Sequence, residues 1–243
     1  VSRNSANNQL EIGFLAAFSG NIAHSNNHPY FVPAVYDLLD ENGFFRIEED
    51  YISHINNLIK QELQCTERKI IISNISSLKQ EAERDITKYK ELMKEAKKQR
   101  DAMRSKGADI NSLIAESQFQ KAELKRIQAR WKNKIDIAQN ELSLRDNQVN
   151  SWKAERQKRS AALQEKIFRH FIMLNAQGNR RDLCDIFADT PQGTPPAGAG
   201  ECAAPKLLQY AYLHGYKPLA MAEFWVGDSP KDIVRHHGNF YPS

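Results

Sequence analysis

Between Phe44 and Gln177 the chain contains one glycine and no proline. In globular domains such breakers recur every few turns, because helices there run about 8 to 20 residues. A stretch this long without them points to long helix, interrupted once. The interruption reads Ser105-Lys106-Gly107-Ala108-Asp109, where Gly107 is free to take a left-handed C-cap and Asp109 to cap the next helix. All other glycines and all nine prolines fall in the two ends of the chain.

The hydrophobic spacing agrees with two helical arms. On the first, Ile71, Ile75, Leu78, Ala82, Tyr89, Leu92, Ala96 and Met103 follow alternating steps of three and four, broken by Asp85 and Gln99. On the second, Leu124, Ile127, Trp131, Ile135, Ala138, Leu142, Val149 and Trp152 do the same, with Arg145 as a polar intruder. A seam repeating about every 3.5 residues on both arms is what two helices need to wrap around each other. A short connector makes them antiparallel. About sixty residues per arm at a 1.5 Å rise give roughly 90 Å of rod. No internal repeat of a length that would suggest a solenoid is present.

The ends differ in texture. Leu10 to Phe18 reads as a strand closed by Ser19-Gly20, residues 28–33 as a loop, and residues 34–39 as a short apolar helix. Near the other terminus, residues 205–213 form a helix stopped by His214-Gly215, and Leu219 to Val226 reads as a strand ended by Gly227-Asp228. The expected fold is therefore α+β, predominantly α. A long antiparallel two-helix coiled-coil hairpin (residues 48–177, turn near 107) projects from a small mixed head built from residues 1–47 and 178–243. Pairing of the two candidate strands, or packing of both ends together, makes one head; two separate heads would each be marginally small.

Composition bounds the function classes. The 243 residues are 41% hydrophobic, enough for a core. A mean hydropathy of −0.63 and apolar runs of only a few residues exclude a membrane-spanning helix, which needs about 20. A formal net charge of +4 with 26% charged residues does not announce a nucleic-acid binder. Three cysteines at wide spacing argue against a disulfide-stapled module and fit a reducing, cytoplasmic setting. No basic-then-apolar leader opens the chain, and its start at Val1 reads as a cut or processed end.

Few residues suggest catalysis. Gly193 and Gly198 have the spacing of a phosphate-binding loop, but Ala199 and Gly200 stand where its Lys and Ser/Thr belong. Gly198-x-Gly200-x-x-Ala203 has the dinucleotide-fingerprint spacing, yet Pro195-Pro196 precedes it rather than a buried strand, so the segment reads as a loop entering a helix. Cys202 sits at that helix start, with His214, His236 and His237 as candidate bases; packing of the loop is the favoured reading. Cys184, Cys202 and the histidines lack zinc-site spacing, and Cys65 reads as an inert residue of the long helix.

Basic residues are the better lead. From Lys79 to Lys134, sixteen Lys or Arg face nine Asp or Glu. Lys94, Lys97, Lys98, Arg100, Arg104 and Lys106 form the densest patch, with Lys121, Lys125, Arg126, Arg130, Lys132 and Lys134 as a second. A basic rod gains affinity for phosphates by releasing counterions, although long helices are also solvated by lysine and glutamate without binding anything. Arg180, Arg181 and Arg235 form a third set in the head, with His236 and His237 beside Arg235.

Two segments carry a family pattern. The first is Gly13-Phe-Leu-Ala-Ala-Phe-Ser-Gly20 with Asn21, continuing through Asn26-Asn-His-Pro-Tyr-Phe-Val-Pro33, Tyr36-Asp-Leu-Leu39 and Gly43-Phe-Phe45. The second is Thr194-Pro-Pro-Ala-Gly-Ala-Gly-Glu-Cys-Ala-Ala-Pro-Lys-Leu-Leu208, with His214-Gly-Tyr-Lys-Pro218, Ala222-Glu-Phe-Trp225 and Arg235-His-His-Gly-Asn-Phe-Tyr-Pro242. Together they resemble the N-terminal extension of large bacterial RluA-type pseudouridine synthases, which isomerise uridines in ribosomal or transfer RNA. In that family a long helical region also separates the two segments.

The resemblance implies an accessory role. The family's catalytic Arg-Leu-Asp motif has no counterpart: Arg180-Arg181-Asp182-Leu183 has the wrong order, and Arg235-His236-His237-Gly238 has no aspartate. Ser243 then reads as the boundary before a C-terminal catalytic domain acting in cis, and no isomerase activity is expected of these residues alone. The family's reaction implies no metal and no organic cofactor. The implied partner is structured ribosomal or transfer RNA, gripped by the basic hairpin, with a homodimer as a further possibility and no membrane contact. Two rivals remain: a coiled-coil structural or protein-interaction module with no RNA role, and a thiol or nucleotide-binding enzyme in the head.

Overall fold

A computed structural model of the chain describes residues 1–4, 10–229 and 233–241. It is predominantly helical with a few short strands. In chain order the elements are β1 (Ser2–Asn4), β2 (Leu10–Ile12), α1 (Phe44–Gln64), α2 (Thr66–Ser105), α3 (Ile110–His170), β3 (Ile172–Leu174), β4 (Arg180–Asp182), α4 (Leu183–Ala188) and α5 (Ala203–Leu213). The chain divides into two compact units, Ser53–Gln157 on one side and Val1–Ile52 with Lys158–Ser243 on the other. These limits lie at 52/53 and 157/158, where the sequence puts the changes of texture at 47/48 and 177/178.

Within the unit Ser53–Gln157, early residues of α1 and α2 meet late residues of α3, and late residues meet early ones. Ile55 and Ile59 pack on Val149 and Trp152, and Ile71, Ile75 and Leu78 on Ala138 and Leu142. Polar pairs continue the order: Arg145 with Glu62 at 2.9 Å, Arg68 with Asp146 at 2.6 Å, Trp131 Nε1 with Asp85 at 3.1 Å and Arg100 with Gln120 at 2.8 Å. Of the three polar residues expected at seam positions, Asp85 and Arg145 bond to the facing helix, whereas Gln99 is exposed.

The turn forms as its residues dictate. Gly107 takes φ +83°, Ala108 N–H reaches back to Met103 O at 3.2 Å, and the Asp109 carboxylate accepts from Asn111 and Ser112 N–H at 3.2 and 3.1 Å. A second break, unexpected because no glycine or proline marks it, separates α1 from α2. Cys65 is extended there, and its Sγ accepts from Arg68 N–H at 3.4 Å and from Arg145 Nη1 at 3.4 Å. Cys65 thus caps α2 rather than lying inside a helix.

The seam also differs from its expected register beyond Ala82. Leu92 and Met103 are 58% and 51% exposed, while Ile86 and Met93 are half-buried and Arg100 is buried. A helix turns 3.6 residues per turn, so a strict 3.5-residue count drifts off the buried side.

The other unit joins the two chain ends. Its core is Phe168, Phe171 and Leu183, covered by Val35, Tyr36, Leu38, Met173 and Phe187. β1 pairs antiparallel with β2, Ser2 opposite Ile12, and Ser2 also exchanges backbone hydrogen bonds with Lys217 at 2.9 and 2.8 Å. Several sequence expectations are corrected here. The first strand stops at Ile12, and residues 34–39 hold no helix but bends and a turn at 38–39, organised by the Asp37 carboxylate, which accepts from the Asn26 and Asn27 side-chain amides and from Leu39 N–H. α3 ends at His170, and residues 172–182 form a hairpin whose turn uses Gly178 at φ +83°. Leu219 to Val226 is no strand and does not pair with residues 10–18; Trp225 bonds Asn239 and Gly238 instead, at 3.0 and 2.7 Å. Pro242 and Ser243 lie outside the described residues.

Candidate nucleic-acid interface

The basic residues around the turn sort by what surrounds them. Lys94, Lys97, Lys121, Lys125 and Arg130 are exposed and, among the described residues, make no ion pair, and the same holds for Lys106, the C-cap of α2. Lys98, Arg104 and Arg126 are exposed but each leans on a carboxylate one turn away: Glu95 at 3.3 Å, Asp101 at 3.4 Å and Glu123 at 3.0 Å. Exposed pairs of this kind are worth about 0–1 kcal/mol and exchange readily for a phosphate. Lys132 is exposed, and Lys134 sits over the Trp131 ring at 4.7 Å.

Arg100 is a correction. It is 8% exposed, with Nη1 donating to Gln120 Oε1 at 2.8 Å and Glu116 Oε1 at 3.4 Å. A guanidinium buried between α2 and α3 belongs to their packing rather than to the exposed basic surface. Lys90, exposed and without an ion pair among the described residues, has the opposite status: its charge counts in the basic surplus, but its spacing does not single it out. The signal that finds it is its position directly after the half-buried Tyr89.

The arginines of the other unit are separate. Arg180 and Arg181 are exposed on β4, Arg181 pairing with Asp189 at 3.6 Å. Arg235 lies over the Tyr241 ring at 4.1 Å, and the two histidines beside it are tied locally. His237 Nδ1 accepts from Gly227 N–H at 3.1 Å, and His236 N–H donates to the Tyr241 hydroxyl at 2.7 Å.

The glycine-rich loop has a packing role. Gly200 is buried at φ +92°, and a Cβ there would stand 2.6 Å from Phe171 Cδ1. Just beyond this loop, Ala203 and Lys206 tie the two chain ends together. Ala203 N–H donates to Ser19 Oγ at 3.0 Å, and Lys206, 3% exposed, donates from Nζ to Phe18 O at 2.9 Å while lying over the Phe18 ring. Burial pulls the Lys206 ammonium below the usual lysine range, against a smaller upward pull from Glu201.

Cys202 is the exposed N-cap of α5 and makes no side-chain capping bond. His214 stacks on Tyr210 at 3.9 Å, with Nδ1 donating to Tyr210 O at 2.8 Å. A cavity of about 420 Å³ beside the Gly198–Gly200 loop is walled by Leu38, Phe45, Leu163, Phe168 and Phe171. No cysteine or histidine lines it. Burial pushes the Cys184 thiol up, so that it stays protonated. Among the described residues no three His, Cys, Asp or Glu side chains converge as metal ligands, and no helix is long and apolar enough to cross a membrane. No family model, curated protein or solved structure matches the chain.

Proposed function

We propose that this chain is a non-catalytic accessory region of an RluA-type RNA pseudouridine synthase that grips structured RNA. In this reading α2 and α3 form an antiparallel coiled-coil hairpin, and its basic end holds phosphates while a separate catalytic domain in cis isomerises the uridine. Phosphate contacts position a substrate without reading sequence, and folded RNA is held mainly by shape. The compartment that suits this work is the cytoplasm. The observation that carries the reading is the set of exposed lysines near the turn that have no carboxylate partner among the described residues. The two motif-bearing ends, joined through Ser19, Phe18 and Lys206, fit the family resemblance. The test is fluorescence anisotropy of a labelled, folded RNA with the 243-residue chain at low salt. Saturable binding that weakens steeply with salt is expected, and no binding at low salt would reject RNA gripping.

A second reading, a structural or protein-interaction module that dimerises, rests on exposed apolar side chains along the same helices: Ile70, Leu92, Phe119, Ile137 and Leu144. Sedimentation over a concentration series separates the two. A concentration-dependent dimer without RNA affinity favours the second.

A further inference from the structure

The free lysines are arranged by side. The half-buried or buried seam residues are Ile86, Tyr89, Met93, Ala96 and Arg100 on α2, and Gln120, Leu124, Ile127 and Trp131 on α3. Each successive residue of a right-handed helix is turned by about 100°. A residue directly after a seam position is therefore displaced to one flank, and a residue directly before it to the other. The cross-contacts Asp85–Trp131 and Arg100–Gln120 run in opposite order along the two helices. Helices so opposed are related by a two-fold axis perpendicular to both, which carries the "after" flank of one onto the "after" flank of the other.

Between those two contacts, the residues directly after a seam position include Lys90, Lys94 and Lys97 on α2, and Lys121 and Lys125 on α3. All five are exposed, and among the described residues none of them has an ion-pair partner. Thr87 and Gln128 lie among them, Lys132 follows Trp131 on the same flank, and the carboxylates of that flank stand at its ends, Glu83 directly after the buried Ala82 and Asp101 directly after the buried Arg100. The opposite flank holds Asp85, Glu95 and Glu123 against Lys88, Arg126 and Arg130, with Leu92 and Phe119 among them. One flank carries five positive charges within about 20 Å of helix axis; the other is neutral and partly apolar.

We propose that the flank of Lys90, Lys94, Lys97, Lys121 and Lys125 is a binding surface for the phosphate backbone of duplex RNA, and that the opposite flank takes no part. The inference rests on the RNA-gripping reading and specifies where and what kind of RNA is held. Lysines are point charges suited to a backbone rather than to base edges. No exposed aromatic side chain stands among them to stack an unpaired base, since Phe119 lies on the other flank. A duplex, which offers phosphates and no free base faces, matches such a surface.

The experiment uses the full chain and a labelled RNA duplex of about 20 base pairs, long enough for a shape-reading domain. One variant carries Lys90→Glu, Lys94→Glu, Lys121→Glu and Lys125→Glu. A control of equal charge change carries Lys88→Glu, Arg126→Glu, Arg130→Glu and Lys134→Glu, each directly before a seam residue. A glutamine version of each set serves if reversal disturbs folding, which helical circular dichroism monitors. Reversing the lysine flank is expected to weaken binding by about 100-fold or more and to flatten the salt dependence by about 3 in slope. The control is expected to change affinity far less. Equal losses in both variants, or tighter binding of a single strand than of the duplex, overturn the sided duplex surface while leaving RNA gripping intact. Absence of wild-type binding overturns both.

Discussion

A few residues carry consequences out of proportion to their number. Gly200 is one, because Phe171 occupies the space a Cβ would need and the backbone is left-handed there. Gly200→Ala is expected to destabilise the unit built from the chain ends by about 2–4 kcal/mol, read as a drop in the urea midpoint. Lys206 is another. Its ammonium titrates below the usual lysine range, so at pH values between its folded and unfolded pKa the unfolded chain holds a proton that the native chain has released. The stability of wild type relative to Lys206→Met therefore rises as pH climbs toward the ordinary lysine range, and urea titrations at neutral and alkaline pH check the sign. Thiols differ in the same way: Cys202 is exposed, whereas Cys184 is half-buried with a raised pKa. Alkylation followed by peptide mass spectrometry should mark Cys202 well before Cys184. The sequence placed Cys202 at a helix start, but neither the burial of Lys206 nor that of Arg100 could be read from it. A lysine or arginine in a basic stretch looks solvated until a partner distant in sequence is known. Arg100 finds Gln120 only once the turn at Gly107 has folded the chain back.

The elements were legible where a residue type has a local geometric duty. Gly107 and Asp109 announce the turn between α2 and α3, and the structure uses Gly107 as the left-handed residue after the Lys106 C-cap and Asp109 to cap the start of α3. Asp109→Ala is expected to cost about 1 kcal/mol, seen as a lower thermal midpoint of the helical signal. Breaks made by other means were not legible. Cys65 separates α1 from α2, its sulfur capping the start of α2 and also accepting from Arg145 of α3, and nothing in its neighbours marks this. The β3–β4 hairpin was hidden because Phe171 to Leu174 continues an apolar pattern that suits helix or strand alike. Register was the subtlest loss: counting in heptads put Leu92 and Met103 on the seam, whereas Ile86 and Met93 occupy it. Met93→Gln should therefore cost about 1–2 kcal/mol while Leu92→Gln stays within about 0.5 kcal/mol, a contrast readable from paired melting curves.

At the scale of the whole chain, net charge conceals more than it tells. A formal +4 averages a strongly basic segment near the turn with acidic residues elsewhere. Within the basic segment the structure separates charges again: Arg100 into the packing, Lys98, Arg104 and Arg126 onto neighbouring carboxylates, and five lysines onto one free flank. The candidate surface was thus half-visible in composition and became specific only when seam positions were known. The two motif-bearing ends show the converse. Among the contacts that join them are the hydrogen bonds between Ser19 and Ala203 and between Phe18 and Lys206, nearly two hundred residues apart in sequence. The claim that joins these observations is that folded RNA is held by the lysines between the Asp85–Trp131 and Arg100–Gln120 contacts. Lysine acetylation of the full chain with and without a saturating RNA duplex, mapped by mass spectrometry, tests it most directly. The account predicts protection of Lys90, Lys94, Lys97, Lys121 and Lys125, with Lys88 and Lys134 modified at unchanged rates. Equal protection on both flanks, or protection confined to the unit formed by the chain ends, would contradict it.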